Sequence, residues 1–170
     1  MNANRSVGWL VLGLASLASV AAITASASEP VVGVKDAEAL FTSKDPKLNR
    51  NKQTAYHIQK ELLECNFWQD ADKYLTEAYH QHNPLANSGR QAVVDFFTKT
   101  MGRKPAASCP AKMSSKIVSV VAEGDYVVII TPRELKDPKD PTKTYTTSWF
   151  DQWRFVDGKA DEHWDGQVLQ

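Results

Sequence analysis

The aromatic and charged segment spanning residues 146–165 constrains the fold of this chain more than any other part of its sequence. It reads TTSWFDQWRFVDGKADEHWD and contains Asp157-Gly158, a dipeptide typical of tight hairpin turns. This pattern predicts two antiparallel strands. Because side chains alternate between the faces of a strand, we expect His163 and Asp165 on the same face. Charged groups on an aromatic sheet face cost free energy unless they are paired or used, so this hairpin is the first candidate site.

Residues 1–27 have the composition of a cleavable secretory signal peptide. Arg5 provides a positive charge near the start, residues 7–22 are apolar and uncharged, and Ala25-Ser26-Ala27 matches the small-residue cleavage pattern. The alternative is an uncleaved membrane anchor, since the apolar stretch is near the lower length limit for spanning a bilayer. We expect cleavage after Ala27, which predicts a secreted or periplasmic protein with no further membrane contact.

The rest of the chain predicts a polar N-terminal arm over residues 28–50 and one domain over residues 51–170. About 140 residues remain after cleavage, a size that suits a single core. The sequence holds 20 basic and 20 acidic residues, so it lacks the basic excess that would attract nucleic acid. Cys65 and Cys109 are the two cysteines, and an oxidising compartment favours a disulfide between them. Two separate buried thiols are the alternative.

Residue spacing predicts helices in the first part of the domain and strands in the second. We expect helices over residues 51–65, 66–76 and 90–100, and a short extended piece over 78–82. Strands are expected over residues 116–122, 126–131, 145–156 and 159–169. Asp-Pro pairs at 137–138 and 140–141 predict a hairpin loop over residues 132–143. Helices followed by a meander of strands indicate an α+β fold, with helices packed on one face of a curved antiparallel sheet.

Five segments in this order resemble the SnoaL-like polyketide cyclases. They are YHQHNP at 79–84, GRQAVVDFF at 89–97, AEGD at 122–125, DQWRFVDGK at 151–159, and EHWD at 162–165. The resemblance extends over residues 51–167. It implies the cone-shaped α+β fold shared with nuclear transport factor 2 and ketosteroid isomerase, in which a curved sheet wraps around helices and leaves a deep pocket. It also implies a homodimer formed through the sheets.

The resemblance further implies how the pocket would work. In the cyclases, an Asp in the position of Asp165 is the acid/base group of an intramolecular aldol ring closure that needs no metal or cofactor. An Asn in the position of Asn83 lies in the same pocket. The cyclases carry a His where this chain has Asp151, and this departure changes the charge of the pocket.

We assign candidate roles to eight residues. Removing a proton next to a carbonyl requires a base tuned to the working pH, and burial among tryptophans disfavours the charged form of a carboxyl group. A histidine and an amide at the end of the first strand could donate hydrogen bonds to a developing enolate oxygen. The candidate catalytic residues are Asp165, His163 and Asp151, and the candidate substrate-binding residues are His82, Asn83, Tyr79, Trp149 and Trp153. His82 is expected to point into the pocket and His80 into solvent.

Each role has a structural alternative. Asp165 could cap the final strand or pair with Arg154, Asp151 could pair with Arg154, and His163 could be a hydrogen-bonded sheet residue. The spacings His80-x-His82 and His163-x-Asp165 would also suit a metal ion, but the sequence lacks an H-E-x-x-H motif and we expect none.

Two functions follow from these assignments. The first is a cofactor-independent acid/base enzyme acting on a carbonyl-bearing, small apolar molecule by aldol-type cyclisation, isomerisation or dehydration. The second is a secreted, non-catalytic module of the same fold that binds a small apolar ligand in an uncharged interior.

Overall fold

The structure, a computed structural model, describes residues 29–169. The expected signal peptide, residues 1–27, lies outside the described residues. Helix α1 spans Pro46–His57, so it begins earlier than expected and includes the end of the predicted arm. The Asp45 carboxylate accepts a hydrogen bond from the backbone N–H of Leu48 at 2.9 Å, and proline occupies the first turn. Asp45-Pro46 is therefore a helix N-cap followed by a first-turn proline.

The other helical segments are short. A 3-10 helix spans Glu38–Phe41 and another spans Trp68–Asp70. Helix α1 continues as a π-helical segment, Ile58–Glu64. Helix α2 spans Ala71–Tyr74, and helix α3, Arg90–Asp95, continues as the π-helical segment Phe96–Thr100. No helix of the described part of the chain is long and apolar enough to cross a membrane.

Within residues 29–169, five strands form one curved sheet in the order β1-β5-β4-β3-β2. They are β1 Leu75–Gln81, β2 Ser119–Glu123, β3 Tyr126–Lys136, β4 Thr144–Val156 and β5 Lys159–Asp165. Neighbouring strands are antiparallel except β1, which runs parallel to β5. The α+β class and the curved sheet are confirmed, and the parallel edge strand was not foreseen.

The predicted loop over residues 132–143 is only partly a loop, because β3 extends to Lys136 and β4 begins at Thr144. Pro132 pairs with Ser148 inside this long hairpin. Strand β2 pairs with β3 only as far as Ile130, so β3 is an edge strand beyond that point. A proline is tolerated there because no further strand needs its missing N–H.

The core lies between the helices and the concave face of the sheet. Phe41, Leu62, Ile129 and Trp153 are among the residues that are fully or almost fully buried in it. Phe41 shows that part of the expected polar arm belongs to the core. The predicted Cys65–Cys109 disulfide is confirmed, with Cα atoms 5.5 Å apart, and it ties the loop after α3 to the end of the first long helix.

Candidate active site

A cavity of ≈ 360 Å³ lies between the concave face of the sheet and the helices. Most of its wall is apolar, and six aromatic side chains contribute to it: Trp68, Tyr79, Phe96, Phe97, Trp149 and Trp153. Polar side chains converge from the ends of β1 and β5 and from the middle of β4. A largely apolar cavity of this size with a few convergent polar groups is the usual form of a small-molecule site.

The register of β4 and β5 brings the three candidate catalytic residues together. Asp151 pairs with Asp165, and Trp153 pairs with His163, so all four side chains share the concave face. His163 is 7 % exposed. The expectation that His163 and Asp165 lie on one face is confirmed, and Asp151 joins them.

Both oxygens of the Asp165 carboxylate accept hydrogen bonds from amide groups. The Asn83 side-chain amide donates to Oδ2 at 2.6 Å, and the Gln167 backbone N–H donates to Oδ1 at 2.9 Å. The orientation of the Asn83 amide is fixed because its own oxygen accepts the backbone N–H of Leu85 at 2.8 Å. The two donors fix the orientation of the carboxyl group and leave it further lone pairs, so Asp165 is placed to act as a base.

His163 is held between two acceptors. Its Nδ1 lies 2.8 Å from Oε1 of Gln81, and its Nε2 lies 3.2 Å from Oδ1 of Asp151. Gln81 Oε1 also accepts the backbone N–H of Asn83 at 3.2 Å, which identifies it as oxygen. Nδ1 of His163 therefore carries a hydrogen. Nε2 faces Asp151, whose Oδ1 also accepts the Trp149 indole N–H at 3.1 Å.

Tyr79 provides a neutral donor beside these groups. Burial raises the pKa of its phenol, and the nearby Asp151 and Asp165 carboxylates raise it further, while the hydrogen bond from Trp153 acts in the opposite direction. That bond runs from the Trp153 indole N–H to the Tyr79 hydroxyl at 3.0 Å. The hydroxyl accepts this bond and keeps its own proton for another acceptor.

Sequence reasoning missed Gln81. This residue lines the cavity and orients His163, yet the sequence shows only a polar residue between two histidines. The period-2 pattern Tyr79, Gln81, Asn83 would have identified it, since Tyr79 and Asn83 were already assigned to the pocket.

The expected inward orientation of His82 is wrong. Tyr79, Gln81 and Asn83 line the cavity, so the alternation of side chains places His82 on the opposite face of the sheet. There its ring stacks on Trp164 with centroids 4.9 Å apart, and its Nε2 lies 2.8 Å from Oε1 of Glu162. Trp164 is therefore not a wall of the site, whereas Trp149 and Trp153 are.

Arg154 does not pair with either cavity carboxylate. Its guanidinium donates to Glu162 at 2.9 Å and also contacts Asp161, on the face that carries His82. The ion pair with Arg154 is therefore not found, whereas the bond from the Gln167 backbone N–H shows that Asp165 does cap the end of β5.

A metal ion is a further possibility for the same three side chains. One ligand atom from each of Asp151, His163 and Asp165 lies within 4.8 Å of the others. With Nδ1 protonated toward Gln81, Nε2 of a neutral His163 could act as a ligand. His80 and His82 do not take part in this group, and the absence of a metal stays a prediction.

This fold and this set of inward-facing side chains define a SnoaL-like protein. A family model described as "SnoaL-like domain" matches residues 61–163, so the chain belongs to that family. Among curated protein sequences none is significantly similar to this chain.

Solved structures share the fold at low sequence identity. A putative SnoaL-like polyketide cyclase from Jannaschia sp. CCS1 is 14% identical and has a TM-score of 0.52, with 74% of this chain and 91% of that chain covered. An NTF2-like protein of unknown function from Burkholderia pseudomallei K96243 is 17% identical, with a TM-score of 0.50 and coverage of 70% and 91%. These similarities establish the fold.

Proposed function

We propose that this protein is a cofactor-independent acid/base enzyme that acts on a carbonyl-bearing, small apolar molecule by aldol-type cyclisation, isomerisation or dehydration. One observation carries the proposal. The Asp165 carboxylate lies in an aromatic cavity with both oxygens oriented by amide donors, beside the neutral hydroxyl of Tyr79. Such a site can remove a proton next to a carbonyl and stabilise the resulting enolate.

Different side chains of the cavity would act as the base and as the hydrogen-bond donors. Asp165 takes the proton from the carbon next to the carbonyl. The Tyr79 hydroxyl and the side-chain amide of Gln81 can donate to the carbonyl oxygen as charge develops there, because neither donor is used within the described residues. His163 Nε2 and Asp151 Oδ1 lie 3.2 Å apart and can pass a proton between them to a leaving or newly formed oxygen.

A purely ligand-binding module is supported less well. Such a module would have an uncharged interior, whereas Asp165 and Asp151 both line this cavity and His163 is buried against it. Ionisable groups on an apolar wall cost free energy that simple ligand binding would not require.

Deuterium exchange tests the proposed base without knowledge of the natural substrate. Cyclic ketones such as tetralone would be incubated with the protein in D₂O, and loss of the proton signal next to the carbonyl would be followed by NMR. We expect exchange above the buffer rate, and Asp165→Asn should lower it by at least about a hundredfold, the usual range for a general base. Equal exchange by wild type and Asp165→Asn would exclude this assignment.

Asp125→Asn is the matched control for this experiment. Asp125 lies in the turn between β2 and β3 and pairs with Lys47 at 2.7 Å, away from the cavity. The variant loses one carboxylate, as Asp165→Asn does, but leaves the cavity intact. Its rate of deuterium exchange should therefore equal that of wild type.

We also propose that the mature protein works outside the cytoplasm and forms a homodimer. The Cys65–Cys109 disulfide supports export, because disulfides persist in oxidising compartments. Exposed apolar side chains on the outer sheet face support self-association.

A further inference from the structure

The ionisable groups of the cavity leave it with an unbalanced negative charge. Asp151 and Asp165 line it, and His163 can offset one of them when it is protonated. The residues lining the cavity include no Lys or Arg within the described part of the chain. Arg154 follows Trp153 in β4, but its side chain lies on the other face of the sheet. There it forms ion pairs with Asp161 and Glu162. The amide donors that orient Asp165 are neutral, so they do not cancel its charge.

The walls around these carboxylates suit a cation. Six aromatic rings line the cavity, and the faces of aromatic rings attract ammonium and guanidinium groups. Trp149 already takes part in such a contact, because the Arg133 guanidinium carbon lies 4.4 Å from the centre of its ring. Arg133 itself does not line the cavity.

We propose that the ligand of this cavity carries a positively charged amine on an aromatic or alicyclic body, and that the cavity rejects carboxylates and phosphates. The amine would lie at the polar end of the cavity, in the electrostatic field of Asp151 and Asp165, and the ring system would lie against the apolar wall. This inference rests on the proposed function in one respect, that the substrate binds in this cavity. It narrows the substrate class to carbonyl compounds that also carry an amine.

Three ligands of one shape and different charge test the proposal. Naphthylmethylamine, naphthylmethanol and naphthoate would be titrated into the full-length mature protein at neutral pH, with binding measured by calorimetry after treatment with EDTA. We expect the amine to bind about tenfold more tightly than the alcohol, since a charge contact in a partly enclosed site is worth that much, and the carboxylate to bind most weakly.

Two variants locate the source of the preference. Asp165→Asn and Asp151→Asn should each reduce the advantage of the amine over the alcohol while leaving the affinity for the alcohol nearly unchanged. Two separate variants are used so that a folding defect in one does not decide the result. Asp125→Asn, which removes a surface carboxylate, should keep the full advantage.

The outcomes separate this inference from the proposed function. Binding of the alcohol or the carboxylate as tight as that of the amine overturns the inference, and the deuterium-exchange result still decides the enzyme proposal. Carboxylate binding that appears only after zinc or manganese is added would show a metal at Asp151, His163 and Asp165, and would also overturn it. A preference for the amine that persists in both Asp165→Asn and Asp151→Asn would also overturn the inference.

Discussion

His163 depends on neighbours from two different strands for its protonation pattern. Gln81 on β1 offers an oxygen to Nδ1, and Asp151 on β4 offers an oxygen to Nε2. Because Gln81 can only accept through that oxygen, the neutral imidazole is expected to carry its hydrogen on Nδ1. Gln81 is thus a positioning residue that determines which nitrogen faces Asp151.

Replacing Gln81 should change this tautomer. In Gln81→Leu the acceptor at Nδ1 is lost, and the Asp151 carboxylate then favours a hydrogen on Nε2. Nitrogen-15 NMR of the imidazole distinguishes the two forms, and Gln81→Glu, which keeps an oxygen at the position, should retain hydrogen on Nδ1. The control is Gln167→Leu, because Gln167 also lines the cavity but its side chain donates to the Val168 carbonyl. An unchanged tautomer in Gln81→Leu would refute the positioning role.

Strand periodicity explains which site residues could be predicted. In the closing hairpin the shared face of His163 and Asp165 followed from the alternation of side chains along β5, although the register shifts between these residues and the turn. The first strand offered no such regular alternation. Its pairing with β5 shifts register between Leu75 and His80, and either alternate set of side chains could have faced inward. His82 was therefore placed on the wrong face, and Gln81 was overlooked.

At the scale of secondary-structure elements, one carboxylate connects the first long helix to a distant loop. Glu64, at the end of the π-helical segment after α1, accepts hydrogen bonds from the backbone N–H and hydroxyl groups of Ser114 and Ser115 at 2.7–3.1 Å. Burial alone would raise the pKa of Glu64, but these bonds outweigh burial and hold the pKa below its ordinary value. The bonds stabilise the ionised form in the folded protein.

Glu64→Gln should therefore destabilise the fold in a pH-dependent way. A depressed folded-state pKa adds stability above the ordinary glutamate pKa, and this stability is lost as the pH falls through the folded-state value. We expect a loss of roughly 1–2 kcal/mol at neutral pH, measured by urea unfolding, because bonds to a charged acceptor become bonds to a neutral amide. The difference from wild type should shrink in acid.

Glu77→Gln is the matched control for the Glu64 substitution, because Glu77 is an exposed carboxylate on β1. The free energy of unfolding of Glu77→Gln should match that of wild type at neutral pH and in acid. A Glu64→Gln difference that stays constant down to strongly acidic pH would mean that charge does not contribute to this contact.

Two elements were predicted poorly for different physical reasons. The start of α1 depends on a local N-cap, since Asp45 accepts the backbone N–H of Leu48, but an Asp-Pro pair is equally typical of a turn. The length of β3 depends on Pro132 lying on an edge, which is decided by where the pairing with β2 ends. The closing hairpin was predicted well because its turn and its alternation are local.

At the scale of the whole molecule, the outer face of the sheet carries an apolar surface. Val121 is 57% exposed, Phe150 51% and Tyr126 42%, and they lie on the neighbouring strands β2, β4 and β3. A group of exposed apolar side chains on one sheet face is typical of an interface. A second copy of the chain is the occupant that the family resemblance implies.

Phe150→Glu should dissociate the proposed homodimer. A buried, unpaired carboxylate at the centre of a two-fold interface would meet its own copy, and like charges at such a contact are strongly unfavourable. Light scattering coupled to size-exclusion chromatography should give twice the chain mass for wild type and a single chain mass for the variant. Val168→Glu, which places the same charge at an exposed position beyond β5, is the control and should remain dimeric. A wild-type protein that elutes as a monomer at micromolar concentration, or a Phe150→Glu variant that stays dimeric, would contradict the proposed interface.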